Sequence, residues 1–285
     1  MTVTLNDYVG LQPAWCPGCG NFGILTALKK ALVELDIYPH QLVIVSGIGQ
    51  AGKLPHYLKC NTFNSLHGRP VPVAAGIKMA NRELHVIAVS GDGDGYGEGG
   101  NHWLHAMRRN HDITYLVHNN QVYALTRGQA SPTSDTGYIT GTTPQGAPQP
   151  VHPLAIAVAA GASFVARGFA GDSDHLAGLI KLALQNRGFS LLDILQPCVS
   201  FNHINTYDWY KKRVYKLEEE RDYNPVDATA AFEKALQWGD RIPIGVLYIN
   251  KRPSIEDSFA ALKHTPLVLQ KHDPVKVNGL INKAL

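Results

Sequence analysis

Short runs of apolar, β-branched residues, each closed by a glycine- or asparagine-rich turn, restrict the fold of this chain more than any other feature. Three such strands are predicted at residues 42–46, 84–90 and 113–117, with weaker candidates at 163–166 and 191–195. Helical patterns separate them, at residues 21–35, 71–81, 98–110 and 172–186. This alternation is typical of a doubly wound, mostly parallel α/β sheet with helices on both faces. Such sheets bind ligands at the carboxyl ends of their strands, so the turns predict the active site.

The length and a change of composition predict how the chain is organised. With 285 residues, it can form one large domain with an extension. We predict an α/β domain over residues 1–200 and a C-terminal extension over residues 201–285, which packs on that domain or on another subunit. The extension is aromatic and charged, with a helix-like stretch at 225–238 and a strand-like one at 242–250. Residues 140–153 are rich in Gly, Pro, Thr and Gln and predict a long loop.

Charge and hydropathy exclude several classes of function. The formal net charge of +3 is too small for a nucleic-acid-binding protein. No stretch approaches the roughly 20 apolar residues of a membrane span, and the N-terminus has neither a basic cluster nor an apolar run. We therefore expect a cytoplasmic protein with no membrane or nucleic-acid partner. In that reducing compartment the four cysteines favour metal or redox chemistry over two structural disulfides.

The segment from residue 91 to residue 120 begins GDGDGYGEGGN, ends HNN, and suits a magnesium-held diphosphate. Mg²⁺ takes about six oxygen ligands, some of them from phosphates. The carboxylate of Asp92, the amide oxygen of Asn120 and the backbone carbonyl of Val122 would supply three. Gly91 and Gly93 would let the backbone approach the phosphates closely.

A helix predicted to begin near residue 98 would direct free N–H groups towards the same charge. The alternative is that GDGDG is only a strand-to-helix turn. The segment lacks the alternating ligands and closing glutamate of an EF-hand loop, and it lacks the Lys-Ser/Thr ending of a P-loop.

The spacing of the cysteines allows several kinds of site. Cys16 and Cys19 form a C-x-x-C pair, while Cys60 and Cys198 lie far along the chain. Four thiolates suit a tetrahedral Zn²⁺ or a [4Fe–4S] cluster. A thioredoxin-like redox pair and four small buried side chains are the other interpretations.

Several short motifs occur in one order along the chain. They are WCPGCGN at 15–21, SGIG at 46–49, LHGR at 66–69, GDGD at 91–94, RRN at 108–110, LTRGQASPT at 125–133, LQPC at 195–198 and WGDRIPIG at 238–245. From about residue 12 to 250 this set resembles the β subunit of 2-oxoacid:ferredoxin oxidoreductases. Within it, Gly-Asp-Gly followed by Asn-Asn resembles the thiamine-diphosphate signature.

The resemblance implies a thiamine-diphosphate-binding fold and an enzyme activity. The expected reaction is the reversible, CoA-dependent oxidative decarboxylation of a 2-oxo acid, either 2-oxoglutarate or pyruvate, to an acyl-CoA and CO₂. The implied cofactors are thiamine diphosphate, Mg²⁺ and a [4Fe–4S] cluster, with CoA as co-substrate and ferredoxin as electron acceptor. The residues that would contact thiamine diphosphate all lie in or beside the strand-end turns, and they are Ile48, Gly49, Gln50, His67, Gly91, Asp92, Gly93, Asp94, Asn120, Ala124, Leu125 and Thr126.

The cluster ligands implied by the resemblance include one departure from the family pattern. Cys16, Cys19 and Cys198 match family ligands directly, but the position after Ser-Gly-Ile-Gly, where many members carry a fourth cysteine, holds Gln50. We expect Cys60, ten residues later, to replace that ligand. The other possibilities are a three-cysteine cluster, another metal, or no cluster.

Three further residues are candidates for catalysis. His67 could donate to phosphate or move protons near the thiazolium ring, and Lys53 could neutralise a carboxylate or phosphate. Arg127 could clamp a substrate carboxylate or a CoA phosphate, with Leu125 as a second substrate contact. The structural alternatives are a capping or buried histidine, a surface lysine and a loop salt bridge, respectively.

No glutamate here fits the role of activating the aminopyrimidine ring, which in this family belongs to the α subunit. The chain is therefore expected to be active only with an α subunit, in a heterodimer or heterotetramer. No ferredoxin-type cysteine run is present, so the acceptor should be a separate protein. Two rivals stay open: a non-redox thiamine-diphosphate decarboxylase subunit with a zinc site, and a non-catalytic, zinc-stapled binding subunit.

Overall fold

The computed structural model describes residues 2–262, 265–271 and 273–284 and contains an eight-stranded sheet. Its strands follow the order β2-β1-β3-β4-β8-β7-β10-β9. Their bounds are β1 Leu42–Ser46, β2 Asn61–Asn64, β3 His85–Gly91, β4 Thr114–Asn119, β7 Phe164–Phe169, β8 Ser190–Leu195, β9 Val214–Lys216 and β10 Ile242–Ile249. A two-stranded hairpin is formed by β5, Val122–Tyr123, and β6, Gln129–Ala130.

All but one of the neighbouring pairs in the main sheet are parallel, and β10 runs antiparallel to β7 with a register shift between Val246 and Tyr248. The turns that follow β1, β3, β4 and β8 therefore meet at one edge of the sheet, which we call the carboxyl edge. This arrangement confirms the predicted α/β class and mostly parallel sheet.

The helices form a layer on each face of the sheet. Their bounds are α1 Asn21–Glu34, α2 Pro70–Ala80, α3 Gly100–Arg109, α4 Pro153–Ala159, α5 Ser173–Gln185, α6 Tyr207–Lys211, α7 Ala228–Leu236, α8 Ile255–Ser258 and α9 Pro274–Ala284. One core joins α1 and α5 to the face that carries Ile44, and a second core joins α2, α3, α4 and α7 to the face that carries Val43 and Val45. Successive strand residues thus enter opposite cores, as a doubly wound sheet requires.

The structure corrects the expected start of the helix near residue 98. A π-helical turn, Gly93–Glu98, begins directly after Asp92, and α3 follows only at Gly100. Three glycines in this turn remove side chains that a regular helix would use for packing, and π turns are common at functional sites. The free amides of the helical start therefore lie within the glycine-rich turn itself.

The C-terminal part adds strands to the same sheet. β9 and β10 both lie after residue 200, and β10 pairs with β7 of the preceding region. The division at residue 200 stays a prediction, since it is not visible as a break in the sheet. In the described residues, no helix combines the length and apolarity needed to cross a bilayer.

Candidate cofactor site

A cavity of about 200 Å³ opens at the carboxyl edge, where the turns after β1, β3 and β4 meet. Its walls are formed by Ile48, Gly49, Gln50, Ala51, His67, Gly91, Asp92, Gly93, Asp94, Asn120, Val122, Tyr123, Ala124, Leu125 and Thr126. The fold thus brings all twelve predicted thiamine-diphosphate contacts, together with Val122, around one space. Ala51 and Tyr123 complete the wall and were not predicted.

Asp92 lies at the floor of this cavity and is 1% exposed. Its Oδ2 accepts hydrogen bonds from Ser131 Oγ at 2.5 Å and Thr133 Oγ1 at 2.6 Å. Burial raises the pKa of this carboxyl group, and the two hydroxyl groups lower it only in part. A buried carboxylate whose side-chain partners are neutral hydroxyls is a suitable ligand for a cation.

The turn after β4 is held in a shape that presents oxygen atoms. Gln121 adopts a positive φ of 61°, and the Oδ1 of Asn120 accepts the N–H of Val122 at 3.1 Å. Nδ2 of Asn202 donates to the Asn120 carbonyl at 3.1 Å. With Asp92, this turn offers carboxylate, amide and carbonyl oxygens, the hard donors that Mg²⁺ requires, so the donor set fits the predicted metal.

Asp94 holds the cavity walls together. Its Oδ1 accepts the N–H of Ile48 at 3.1 Å and that of Gly68 at 2.8 Å, and it lies 2.7 Å from Nδ1 of His67. Its Oδ2 accepts the hydroxyl of Ser90 at 2.7 Å. Asp94 was predicted as a direct cofactor contact, but both of its oxygens are engaged with protein groups. In this geometry it positions the turn after β1 and the turn before α2.

Two glycines are required by close approach at this site. A Cβ at Gly47 would lie 1.7 Å from Oδ2 of Asp94, and one at Gly93 would lie 2.4 Å from the ring of Tyr123. Any side chain at Gly47 would therefore displace the carboxylate that holds both turns. Gly93 lets the Tyr123 ring pack directly on the glycine-rich turn.

The three catalytic candidates occupy different positions. His67 lines the cavity, with its side chain 47% exposed and its Nδ1 against Asp94. Lys53 lies in the 3₁₀ helix Ala51–Tyr57 and is not part of the cavity wall. Arg127 is exposed, has a φ of +77°, and follows the last wall residue, Thr126. Leu125, in the cavity wall two residues before Arg127, is 46% exposed.

Three of the four cysteines surround a second, smaller cavity. Cys16, Cys19 and Cys198 line it together with Gln50 and Gln196. Ser200 Oγ donates to Cys16 Sγ at 3.1 Å, and Gln196 Nε2 donates to Cys19 Sγ at 3.5 Å. Burial raises the pKa of Cys19 to about 11. All four cysteines of the chain are free thiols.

Cys60, the predicted fourth ligand, does not line this cavity. Cys60 precedes β2, whose first residue, Asn61, pairs with Val43, so Cys60 lies near the amino end of β1. The turn that carries Gln50 follows the carboxyl end of β1, about 13 Å away at 3.3 Å per residue. The 3₁₀ helix Ala51–Tyr57 belongs to the connection that returns the chain from the carboxyl end of β1 to the start of the neighbouring parallel strand β2. Cys60 is half-buried there beside the backbone of Ile44, and desolvation raises its pKa to about 12.

Within the described ranges, no three His, Cys, Asp or Glu side chains come close enough to hold a single metal ion. The three cysteines therefore line the cavity without forming a one-ion centre. Thiols with hydrogen-bond donors directed at two of the sulfurs do suit an iron–sulfur cluster, whose ligands are thiolates and whose potential depends on such bonds.

The two cavities share a wall. Gln50, Asn120 and Ala124 line both of them. Each of these three residues therefore lies between the predicted cofactor and the cysteines.

A buried polar network supports the site from behind. Asn119 accepts from Thr133 Oγ1 at 2.9 Å and donates to Asp193, which also accepts from Tyr96. Burial raises the pKa of Asp193 to about 6, and the buried guanidinium of Arg167 opposes this rise. Sequence reasoning missed these residues, although Ser131 and Thr133 belong to the LTRGQASPT motif, where small hydroxyl side chains could have indicated them.

The comparison with known proteins agrees with this geometry. The model for the thiamine pyrophosphate enzyme C-terminal TPP binding domain matches residues 43–194. The model for the C-terminal part of the pyruvate ferredoxin oxidoreductase β subunit matches residues 198–264. Fold and site thus define a thiamine-diphosphate-binding domain.

Proteins of similar sequence and structure define the family within this class of thiamine-diphosphate-binding domains. A 2-oxoacid:ferredoxin oxidoreductase subunit β from a Sulfolobus species is 46% identical over 274 residues, covering 88% of each chain. The subunit of that name from Saccharolobus solfataricus is 43% identical, covering 93% of this chain and 92% of its own. The solved 2-oxoglutarate:ferredoxin oxidoreductase of Magnetococcus marinus, with 2-oxoglutarate, coenzyme A and succinyl-CoA bound, superposes with a TM-score of 0.90 and 36% identity over 99% of this chain and 96% of that one. This chain belongs to the β subunits of the 2-oxoacid:ferredoxin oxidoreductases.

Proposed function

We propose that this chain, with an α subunit, catalyses the reversible CoA-dependent oxidative decarboxylation of a 2-oxo acid and delivers the electrons to ferredoxin. When bound, thiamine diphosphate would supply the electron sink for loss of CO₂, and a [4Fe–4S] cluster would supply one-electron transfer. The observation that carries the proposal is the wall formed by Gln50, Asn120 and Ala124 between the two cavities. A shared wall gives electrons a short path from the cofactor to the cysteines.

The residues of this chain hold the cofactor in the proposed site. Asp92, the Asn120 amide and the Val122 carbonyl would bind Mg²⁺, which in turn would hold the diphosphate. Gly91 leaves room for phosphate oxygens near the backbone at the start of the helical turn, whereas the space beside Gly93 is taken by the Tyr123 ring. Asp94 acts indirectly, through the turns that it positions.

The mouth of the cavity supports a role for a partner subunit. Ile48 and Leu125 are 37% and 46% exposed there, and Leu66, next to His67, is 75% exposed. Exposed apolar side chains around the mouth of a cavity are typical of a surface that another protein covers. In the described residues the cavity wall contains no glutamate, so we assign the activating glutamate to the α subunit.

Arg127 carries the proposed recognition of the substrate. Arg127 is exposed and directly follows the last wall residue in the chain, so its guanidinium can pair bidentately with a carboxylate, and the exposed Leu125 can contact the carbon chain. Among the relatives, the solved enzyme is named for 2-oxoglutarate and carries it bound. We propose 2-oxoglutarate as the preferred substrate, with pyruvate as the competing one. Lys53 lies outside the wall, and its proposed role is limited to neutralising charge nearby.

The test is an anaerobic assay of the chain purified together with its α subunit. Reduction of ferredoxin or a viologen dye should require a 2-oxo acid, CoA, thiamine diphosphate and Mg²⁺, and Asp92→Asn should abolish it. Iron, sulfide and zinc contents are measured on the same sample. Zinc without iron would refute the redox reaction and favour a non-redox decarboxylase subunit or a non-catalytic binding subunit.

A second assay tests the substrate assignment. Arg127→Ala should raise the KM for 2-oxoglutarate about tenfold or more, equivalent to the loss of one bidentate ion pair, while the KM for pyruvate changes less. Arg127→Lys keeps the charge without the planar fork and serves as the matched control. Equal losses on both substrates would contradict the selective role of Arg127.

A further inference from the structure

The side chain of Gln50 has an unusual environment. Its Oε1 is buried and has no hydrogen-bond partner among the described residues, whereas buried amide oxygens almost always have one. The residue lines the cavity that holds Cys16, Cys19 and Cys198. A buried acceptor without a partner, beside three thiols, indicates a group that is bound there and takes that oxygen as a ligand.

The backbone holds Gln50 in this position. Trp15 Nε1 donates to the Gln50 carbonyl at 2.9 Å, so the residue that precedes Cys16 is tied directly to Gln50. The ring of Trp15 packs edge-on against Tyr57 and Phe22. The C-x-x-C segment and the turn after β1 are therefore linked directly through Trp15.

Gln196 also lines the cavity with a buried, unpartnered Oε1, but its environment differs. Its Nε2 is fixed by the Pro197 carbonyl at 2.8 Å and by Cys19 Sγ at 3.5 Å. The amide group of Gln196 thus already serves a sulfur as a donor, in the manner of residues that tune a cluster from outside. Gln50 approaches from the β1 side, where the cavity has no thiol.

We propose that Gln50 Oε1 is the fourth protein ligand of the cluster, which would then have three thiolate-bound irons and one oxygen-bound iron. This inference rests on the proposed function. A neutral amide in place of a thiolate makes the site less negative by one charge, so the reduction potential should be higher than with four cysteines. The oxygen-bound iron should also be the one that is most easily removed.

The test uses the complex with the α subunit, purified anaerobically with ⁵⁷Fe. Wild type is compared with Gln50→Cys, Gln50→Ala and, as a matched control outside the cavity, Cys60→Ala. Mössbauer spectra report distinct iron sites, and iron is counted after mild ferricyanide treatment with a chelator. In that step a [4Fe–4S]²⁺ cluster gives one electron to ferricyanide and one Fe²⁺ to the chelator, leaving [3Fe–4S]⁺, which has an EPR signal in the oxidised state.

Wild type and Cys60→Ala should show one distinct iron and lose about one iron in four. Gln50→Cys should retain all of its iron and have a lower midpoint potential, and Gln50→Ala should alter the distinct iron site. A lower iron content in Cys60→Ala than in wild type before the ferricyanide step, or a distinct site that Gln50→Ala leaves unchanged, would overturn the ligand assignment while the redox function stands. Absence of iron from wild type would refute the proposed function itself.

Discussion

Two aspartates that are two residues apart should respond in opposite ways to the same substitution. Asp94 accepts the backbone N–H groups of Ile48 and Gly68, while Asp92 faces the cavity with two hydroxyl groups as side-chain partners. Asparagine preserves the shape of either side chain and removes its charge. We expect Asp94→Asn to destabilise the metal-free chain and Asp92→Asn to leave its stability equal or higher.

The loss of unfolding free energy expected for Asp94→Asn follows from the hydrogen-bond partners of Asp94. Hydrogen bonds to a charged group contribute about 1.5–3 kcal/mol, and neutral ones about 0.5–1.5 kcal/mol, so each of the two backbone donors loses about 1 kcal/mol. His67 is about half exposed, which limits its share to below 1 kcal/mol. The Ser90 hydroxyl can rotate to accept from the new amide. The sum is about 2–3 kcal/mol, or a fall in Tm of roughly 4–12 °C for a chain of this size.

Asp92→Asn differs because it removes a charge that burial disfavours. Burial raises the pKa of Asp92, so its ionised form costs folding free energy when no cation is present. An amide oxygen can still accept from Ser131 and Thr133. The substitution should therefore not destabilise the metal-free chain, but it should abolish the stabilisation that Mg²⁺ and thiamine diphosphate provide together.

The assay is urea unfolding of the full chain, with tryptophan fluorescence as the signal. It is carried out first with EDTA and then with thiamine diphosphate and Mg²⁺. If Asp92→Asn lost as much stability as Asp94→Asn in EDTA, the assignment of a positioning role to one and a ligand role to the other would be refuted. The assignment would also be refuted if the unfolding free energy of Asp94→Asn lay within about 0.5 kcal/mol of the wild-type value, because a difference that small is typical of neutral surface changes.

Further predictions concern packing, the buried network and the cysteine cavity. Gly47→Ala should prevent cofactor binding, measured by calorimetry, because its Cβ would collide with Asp94, whereas Gly76→Ala, which has open space in α2, should raise the unfolding free energy by about 0.5–1 kcal/mol. Arg167→Ala should lower it by about 3–5 kcal/mol in urea unfolding, because three backbone carbonyls lose a buried partner, and a loss below 1 kcal/mol would contradict this. Ser200→Ala should shift the midpoint potential of a bound cluster to more negative values at unchanged iron content, since it removes a donor to Cys16 Sγ.

The central strands could be predicted from the sequence because their side chains enter a core on each face. All five residues of β1 and all six of β4 are buried, which requires the continuous apolar runs that the sequence displays. β2 was missed because its four residues, Asn61–Asn64, are exposed and mostly polar, as an edge strand permits. Its position is fixed by pairing with β1 rather than by its own composition.

The candidate site was predictable where neighbouring residues act together, and not where distant ones meet. The strand-end turns predicted which residues line the cavity, because parallel strands bring their carboxyl ends to one edge of the sheet. Ser131 and Thr133 reach Asp92 across about 40 residues, a contact that depends on how the β5–β6 hairpin folds back. The position of Cys60 relative to Gln50 could not be predicted for the same reason, since it depends on the direction of the intervening 3₁₀ helix.

The common wall between the two cavities has a consequence for how such a protein can change over evolution. A substitution at Gln50, Asn120 or Ala124 changes the walls of both cavities at once. Tighter cofactor binding and a shifted redox balance cannot then be selected independently at these positions. Adaptation to a new electron acceptor should instead accumulate at residues that face the cysteines alone, such as Ser200 and Gln196, and adaptation to a new substrate at the outer rim around Arg127.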